Sequence, residues 1–202
     1  LVLQPKFQLL PRRGAIGKLL PTFERLLIDP ETQEVRQPPA SGVLLVRGPC
    51  VFSGYLNYDG PQPFIRLAGH DWYRTGDVVS EDASGVMTFQ GRLKRFVKRG
   101  GEMLSLPAIE AALSPHYAAD ADEGPVIAVG ATDDEANPQI VLFTTKATDR
   151  QTANQHIRDA GLSPLHNIRQ VIKLDAIPLL GTGKTDYRAL KAMLTIAQEP
   201  AH

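Results

Sequence analysis

Three short polar stretches carry residue types that could do chemistry together: Tyr73-Arg74-Thr75-Gly76-Asp77, then Gly91-Arg92-Leu93-Lys94-Arg95-Phe96-Val97-Lys98-Arg99-Gly100-Gly101-Glu102, then Gly181-Thr182-Gly183-Lys184. A carboxylate such as Asp77 can accept from two hydroxyls at once, which suits the vicinal diol of a ribose. Arg92 offers a planar donor fork for sugar or phosphate oxygens. Lys184 is a compact charge on a flexible stem, and its flanking glycines let a backbone come close to an anion. Together they form an inventory for holding a nucleoside monophosphate. Singly, each stretch has a plainer reading. An aspartate at a loop–strand junction can be a cap, Arg/Lys alternation marks a strand's solvent face, and Gly-x-Gly-Lys is a turn before a helix. The lysine loop is not a Walker A loop. That motif needs a glycine at the position held here by Pro178.

Composition narrows the classes. The chain has 202 residues, 43% hydrophobic and 22% charged, enough for one large or two small globular domains. Lys plus Arg equals Asp plus Glu at 22 each, so no basic excess points to a nucleic-acid partner. Cys50 is the single cysteine, which excludes an intrachain disulfide or a Cys-rich zinc site and fits a reducing, cytoplasmic setting. No apolar run approaches the roughly 18–20 residues of a membrane span. The histidines lack helical i,i+4 pairing. Asp120-Ala121-Asp122-Glu123-Gly124 has its glycine one place too early for a calcium loop and reads as a solvated acidic turn. No metal site is therefore expected from this chain's own residues. Neither a Gly-x-Ser-x-Gly elbow nor a Gly-x-Gly-x-x-Gly fingerprint is present, so hydrolase and dehydrogenase readings have no support.

The elements that must position these residues follow from pattern and punctuation. Strands are predicted over 23–29, 32–36, 42–47 and 72–79, and Ala83-Ser84-Gly85 turns the chain into a return strand over 86–90. Past residue 91 the pattern changes. Gly100-Gly101 breaks a strand, and Ser105 caps a helix with Ile109, Ala112 and Leu113 on one face. Strands follow at 125–130, 139–145 and 168–174, and a helix at 149–160 closes at Gly161. A last helix begins at Asp186, with Tyr187, Leu190, Met193, Leu194 and Ala197 on its core face. The expected class is α+β: an all-β subdomain over 1–92, then a small α+β domain over 93–202.

The order of the three motifs resembles the later motifs of the adenylate-forming superfamily, which comprises acyl- and aryl-CoA synthetases, luciferases and peptide-synthetase adenylation domains. Gly14 to Pro21 and Gly42 to Tyr55 are similar to that family's sequence upstream of the aspartate motif. Three stretches, Gly101 to Leu106, Val141 to Thr145 and Pro178 to Lys184, look like one branch, the bifunctional acyl-[acyl-carrier-protein] synthetase / 2-acylglycerophosphoethanolamine acyltransferase. The resemblance implies a two-step reaction. A fatty acid and ATP, with Mg2+, give acyl-adenylate and pyrophosphate; a phosphopantetheine thiol, on acyl-carrier protein or coenzyme A, then takes the acyl group. It also implies roles: Asp77 on the ribose hydroxyls, Arg92 at the nucleotide, and Lys184 as the catalytic lysine of the loop Gly181, Thr182 and Gly183. Lys94 would be the hinge and the Gly100 and Gly101 pair would border the thiol channel. Residues 1–92 would then belong to the large adenylating domain, and 93–202 would be a mobile lid.

This chain departs from the family pattern in places. Ser105 and Ala108 replace two residues of the usual Pro-x-Glu-Ile-Glu helix start, keeping Ile109 and Glu110, and Tyr187 stands where a basic residue is usual after the lysine loop. The family's phosphate loop and Tyr-Gly-x-Thr-Glu motif would lie upstream of Leu1, so these 202 residues alone are expected to be inactive. The branch resemblance implies a parent protein at the cytoplasmic face of a membrane, feeding lysophospholipid reacylation. Two alternatives stay open: a stand-alone carrier-protein-binding or regulatory module, and an ordinary acyl-CoA synthetase.

Overall fold

The computed structural model describes residues 2–3, 14–117, 124–134 and 137–196, which fall into two compact units, Leu1–Lys94 and Arg95–His202. Two sequence readings lie outside the described residues: the acidic turn at 120–123 and Ala197 at the end of the last helix.

The first unit is built from strands β1 (Val2–Leu3), β2 (Ala15–Leu19), β3 (Glu24–Ile28), β4 (Val35–Arg36), β5 (Ala40–Arg47), β6 (Phe64–Leu67), β7 (His70–Glu81) and β8 (Met87–Arg92). They form an eight-stranded sheet in the order β1-β2-β8-β7-β5-β3-β4, with β6 also paired to β7. Every pairing is antiparallel. β5 explains how this sheet carries a core. Its run Val43-Leu44-Leu45-Val46 alternates faces, as strand geometry requires. Leu44 and Val46 join Leu27, Val79 and Met87 in one apolar cluster, while Val43 and Leu45 join Ile28 and Trp72 in another. A strand buried on both faces reads as a continuous apolar run rather than an alternating one. The strand expected over 32–36 shrinks to Val35–Arg36, because Asp29 folds the preceding residues into a turn, accepting from the N–H groups of Glu31 and Thr32 at 2.7 and 2.9 Å.

In the second unit a hairpin of β9 (Phe96–Arg99) and β10 (Glu102–Ser105) precedes helix α1 (Leu106–Leu113). β11 (Ile127–Ala131), β12 (Ile140–Thr144), α2 (Arg150–Asp159), β13 (Gln170–Lys173) and α3 (Tyr187–Ile196) follow. β12 is central, antiparallel to β11 and parallel to β13. It too is buried on both faces. Ile140 and Leu142 pack with Ile109 and Leu113 of α1 and Ala153 and Ile157 of α2, and Val141 and Phe143 pack with Leu190 and Leu194 of α3. The sheet thus lies between α1 with α2 on one face and α3 on the other. Ser105 caps α1 as expected, accepting from the Ala108 N–H at 3.2 Å, and Asp149, read as the first residue of the next helix, instead caps α2, accepting from the Thr152 N–H at 2.8 Å. Met193, expected on the core face of α3, is exposed instead. Four residues separate Leu190 from Leu194, and those two already fill the stripe that faces β12.

Candidate functional site

The Arg74-Thr75-Gly76-Asp77 stretch is a bulge. Val43 of β5 opposes Val78 of β7 and Leu45 opposes Arg74, so Leu44 alone faces Thr75, Gly76 and Asp77. Extra residues on one strand bend it and re-aim the side chains there. Gly76 adopts φ of +75°, a conformation that an L side chain would strain. The Thr75 hydroxyl pins the bulge, donating to the Leu44 carbonyl at 2.8 Å and accepting from the Asp77 N–H at 3.0 Å.

On the other edge of β7, Asp77 stands directly opposite Arg92 of β8. Arg92 Nη1 donates to the Thr75 carbonyl at 2.9 Å, and Arg92 Nε lies 2.9 Å from Asp77 Oδ1. By distance this is an ion pair, but the N–H is not aligned on the oxygen, so buried Oδ1 accepts no hydrogen bond. The contact is electrostatic rather than a hydrogen bond. Burial pushes the Asp77 carboxyl above its ordinary range, and the Arg92 guanidinium pulls it part of the way back. A partly desolvated carboxylate of this kind is suited to hydroxyl donors.

The remaining predicted residues fall elsewhere. Lys94 sits in a 3-10 turn over Leu93–Arg95, exposed, at the last position of the first unit. Gly100 and Gly101 are the two residues between Arg99 and Glu102, which pair across the hairpin. Their φ values of +58° and +83° fit the two-residue hairpin turn with both φ positive, where glycine is favoured. The hairpin is anchored by buried Arg99, which donates to the Leu165 carbonyl at 2.9 Å. The return strand β10 was not legible as a strand, because Glu102-Met103-Leu104-Ser105 is too short to establish an alternation.

The lysine loop is a closed turn. Leu179 and Thr185 bridge at its base. Leu180 N–H donates to the Lys184 carbonyl at 2.7 Å, and Gly183 N–H to the Leu180 carbonyl at 2.9 Å. Gly181, Thr182, Gly183 and Lys184 are all exposed, and the Lys184 ammonium makes no ion pair among the described residues. Asp186 Oδ1 accepts from the N–H groups of Arg188 and Ala189 at 3.0 and 3.1 Å, which starts α3 immediately after the loop.

Sequence reasoning missed a cluster behind this loop. Glu110 Oε1 accepts from Arg95 Nη2 and from the Val129 N–H, both at 2.7 Å, and the Tyr187 hydroxyl donates to Oε1 and Oε2 at 3.0 and 3.1 Å. The Arg95 guanidinium lies 3.6 Å from the Tyr187 ring centre, a cation–π contact. Burial and the Glu110 charge push the Tyr187 hydroxyl up to about 12. The sequence signal was Tyr187 itself, an aromatic where the motif usually has a base. Among the described residues, no three His, Cys, Asp or Glu side chains converge to hold a metal ion.

The fold is that of adenylate-forming enzymes. ATP-bound MatB from Rhodopseudomonas palustris superposes with a TM-score of 0.74 over 96% of this chain and 38% of that one, at 24% identity. An O-succinylbenzoate coenzyme A synthetase from Bacillus subtilis in complex with AMP gives a TM-score of 0.68 over 88% of this chain and 35% of its own, at 23% identity. Sequence relatives carry the comparison further. A mitochondrial medium-chain acyl-CoA ligase of Rattus norvegicus is 29% identical over 194 residues, covering 94% of this chain and 31% of the ligase. The 2-hydroxy-7-methoxy-5-methyl-1-naphthoate–CoA ligase of Streptomyces carzinostaticus is 33% identical over 180 residues, covering 85% of this chain and 30% of the ligase. No family model matches the chain. By sequence and fold the chain is similar to part of the adenylate-forming acyl/aryl-CoA ligases. It spans about a third of the length of these curated relatives. No helix among the described residues is long and apolar enough to cross a membrane.

Proposed function

We propose that this chain serves an AMP-forming acid–thiol ligase, holding the nucleotide through Asp77 and Arg92 and supplying Lys184 to the adenylation step. The observation that carries the reading is the Asp77–Arg92 pair, a carboxylate and a guanidinium set opposite each other across β7 and β8 beside a pinned bulge. The Asp77 side chain is 27% exposed, and a ribose hydroxyl donates to its carboxylate. The carboxylate of the acid substrate attacks the α-phosphorus of ATP, which enters with Mg2+, and pyrophosphate leaves. Negative charge passes from carboxylate to phosphate oxygens during this step, and a lysine ammonium near both stabilises the transition state. Lys184 suits that task because nothing among the described residues neutralises it. Lys94, exposed beside the unit boundary, serves as the hinge, and the Gly100-Gly101 turn presents backbone without side chains to the incoming thiol. Residues 93–202 act as the mobile lid.

The acceptor is a phosphopantetheine thiol. Gly101 to Leu106, Val141 to Thr145 and Pro178 to Lys184 favour an acyl-carrier protein, with the acyl group passing on to a lysophospholipid at the cytoplasmic face of a membrane; the CoA ligase relatives favour coenzyme A. The test uses the full protein that contains this chain. Acid-dependent ATP–pyrophosphate exchange establishes adenylation, and offering holo acyl-carrier protein or coenzyme A to the adenylate identifies the acceptor. Absence of exchange with every fatty and aryl acid tried would overturn the ligase reading, and carrier-protein binding without exchange would replace it with a binding module.

A further inference from the structure

The base of the lysine loop has an unusual support. Five exposed residues, Leu180 to Lys184, hang from the Leu179–Thr185 bridge, and Tyr187 follows two residues later. On one side of Thr185 and Tyr187 lies an open cleft of about 440 Å³, also lined by Glu110, Ser114 and Tyr117. Packing therefore does not hold this side of the loop base. What holds it is polar: the Tyr187 hydroxyl on both Glu110 oxygens, and the Arg95 guanidinium over the Tyr187 ring. Glu110 is in turn fixed from three directions, because its Oε1 also receives Arg95 and the Val129 N–H. Arg95 is locked by a further bond from Nη1 to the Val129 carbonyl at 2.7 Å. The side chains of Arg95 and Glu110 are only 15% and 21% exposed, so these charged bonds are little screened.

We propose that Tyr187 is a positioning residue for Lys184: clamped between Arg95 and Glu110, it fixes the base of the lysine loop and thereby the place of the Lys184 ammonium during adenylation. Tyr187 does this without touching substrate. A misplacement of about 1 Å at a reacting group costs up to roughly 10² in rate, so an exposed loop tip that carries the ammonium needs a rigid base. The same clamp starts at Arg95, the first residue past the Lys94 hinge, so loop and hinge-proximal segment share one anchor, Glu110. An arginine at position 187 would bring a second guanidinium against Arg95; tyrosine gives Arg95 a π-face and Glu110 a neutral donor.

This inference rests on the assignment of Lys184 to adenylation, and its test separates the two. In the full protein, Tyr187→Phe keeps the ring under Arg95 and removes only the bonds to Glu110. The expected result is a fall of about ten-fold in kcat for ATP–pyrophosphate exchange, with KM for ATP and acid within about two-fold. Thiol transfer from preformed acyl-adenylate should be unchanged. In a Lys184→Ala background the same substitution should have no further effect, since there is no ammonium left to place; a merely structural loss would persist there. Glu110→Gln, which keeps the shape and weakens the acceptor, should reproduce the kcat loss and stands in if Tyr187→Phe fails to fold. Wild-type exchange by both variants, or a Tyr187→Phe loss that persists undiminished in Lys184→Ala, overturns the positioning role. Normal exchange by Lys184→Ala alone overturns the underlying assignment instead.

Discussion

Asp77→Asn separates nucleotide binding from stability, and the two should move in opposite directions. The substitution keeps size and one acceptor oxygen but removes the charge. Hydrogen bonds to a charged partner contribute about 1.5–3 kcal/mol against roughly 0.5–1.5 for neutral ones. Losing charge assistance across a two-hydroxyl contact should cost about 1.5–3 kcal/mol, or roughly 10–100-fold in affinity for ATP. Stability follows from the direction of the Asp77 shift. Burial holds this carboxyl above its ordinary 3.8, so the folded chain binds its proton more tightly than the unfolded chain does. That contribution is fully present below the unfolded value and is lost as pH rises through the folded one. At pH 7 the ionised group therefore weighs against folding, and asparagine relieves it. Arg92 loses its partner, but its side chain is 63% exposed and stays solvated at little cost. The variant should melt no lower than the parent at pH 7. Isothermal titration with ATP and 3′-deoxy-ATP, beside a thermal melt, reads both effects. The wild type should prefer ATP and the variant should lose much of that preference. Undiminished affinity with an intact preference for the 3′-hydroxyl would refute the reasoning.

Two further predictions concern the fold itself. Glu81 is buried with Arg25 as its ion-pair partner, so Arg25→Met leaves an uncompensated buried charge and should destabilise the protein by about 3 kcal/mol, read by chemical denaturation. Glu81→Gln in that background should recover part of the loss. Asp149 is held below its ordinary 3.8 chiefly by the Thr152 N–H, so it supports α2 above the unfolded value and loses that support as pH falls through the folded one. Asp149→Asn, which can still cap, should flatten the fall of the melting temperature below about pH 4.

Much of this architecture was legible because local rules and tertiary demands agree. Ser105 and Asp186 cap where side-chain chemistry said they would, and the apolar runs at Val43 to Val46 and Ile140 to Phe143 are each an interior, doubly buried strand of a sheet. The Asp77–Arg92 pairing was legible only as a shared inventory. That the two oppose each other across β7 and β8 depends on a bulge at Thr75 to Asp77, and the hint was Gly76 inside a strand pattern. Thr75 was missed because its role is to bond the Leu44 carbonyl, a partner 31 residues away that no local pattern reveals. The same holds for Glu110, Arg95 and Tyr187, drawn from three elements to a single carboxylate. Met193 shows the reverse error, where helical spacing made the apolar stripe wider than the surface it covers.

The central claim, that Lys184 acts in adenylation and not in thiol transfer, is tested most directly by one pair of half-reactions on Lys184→Ala in the full protein. ATP–pyrophosphate exchange should fall by about 10²–10³, the loss expected for one charge-stabilising donor, while thiol transfer from preformed acyl-adenylate stays within about three-fold of wild type. Near-normal exchange, or an equal fall in both half-reactions, would contradict it.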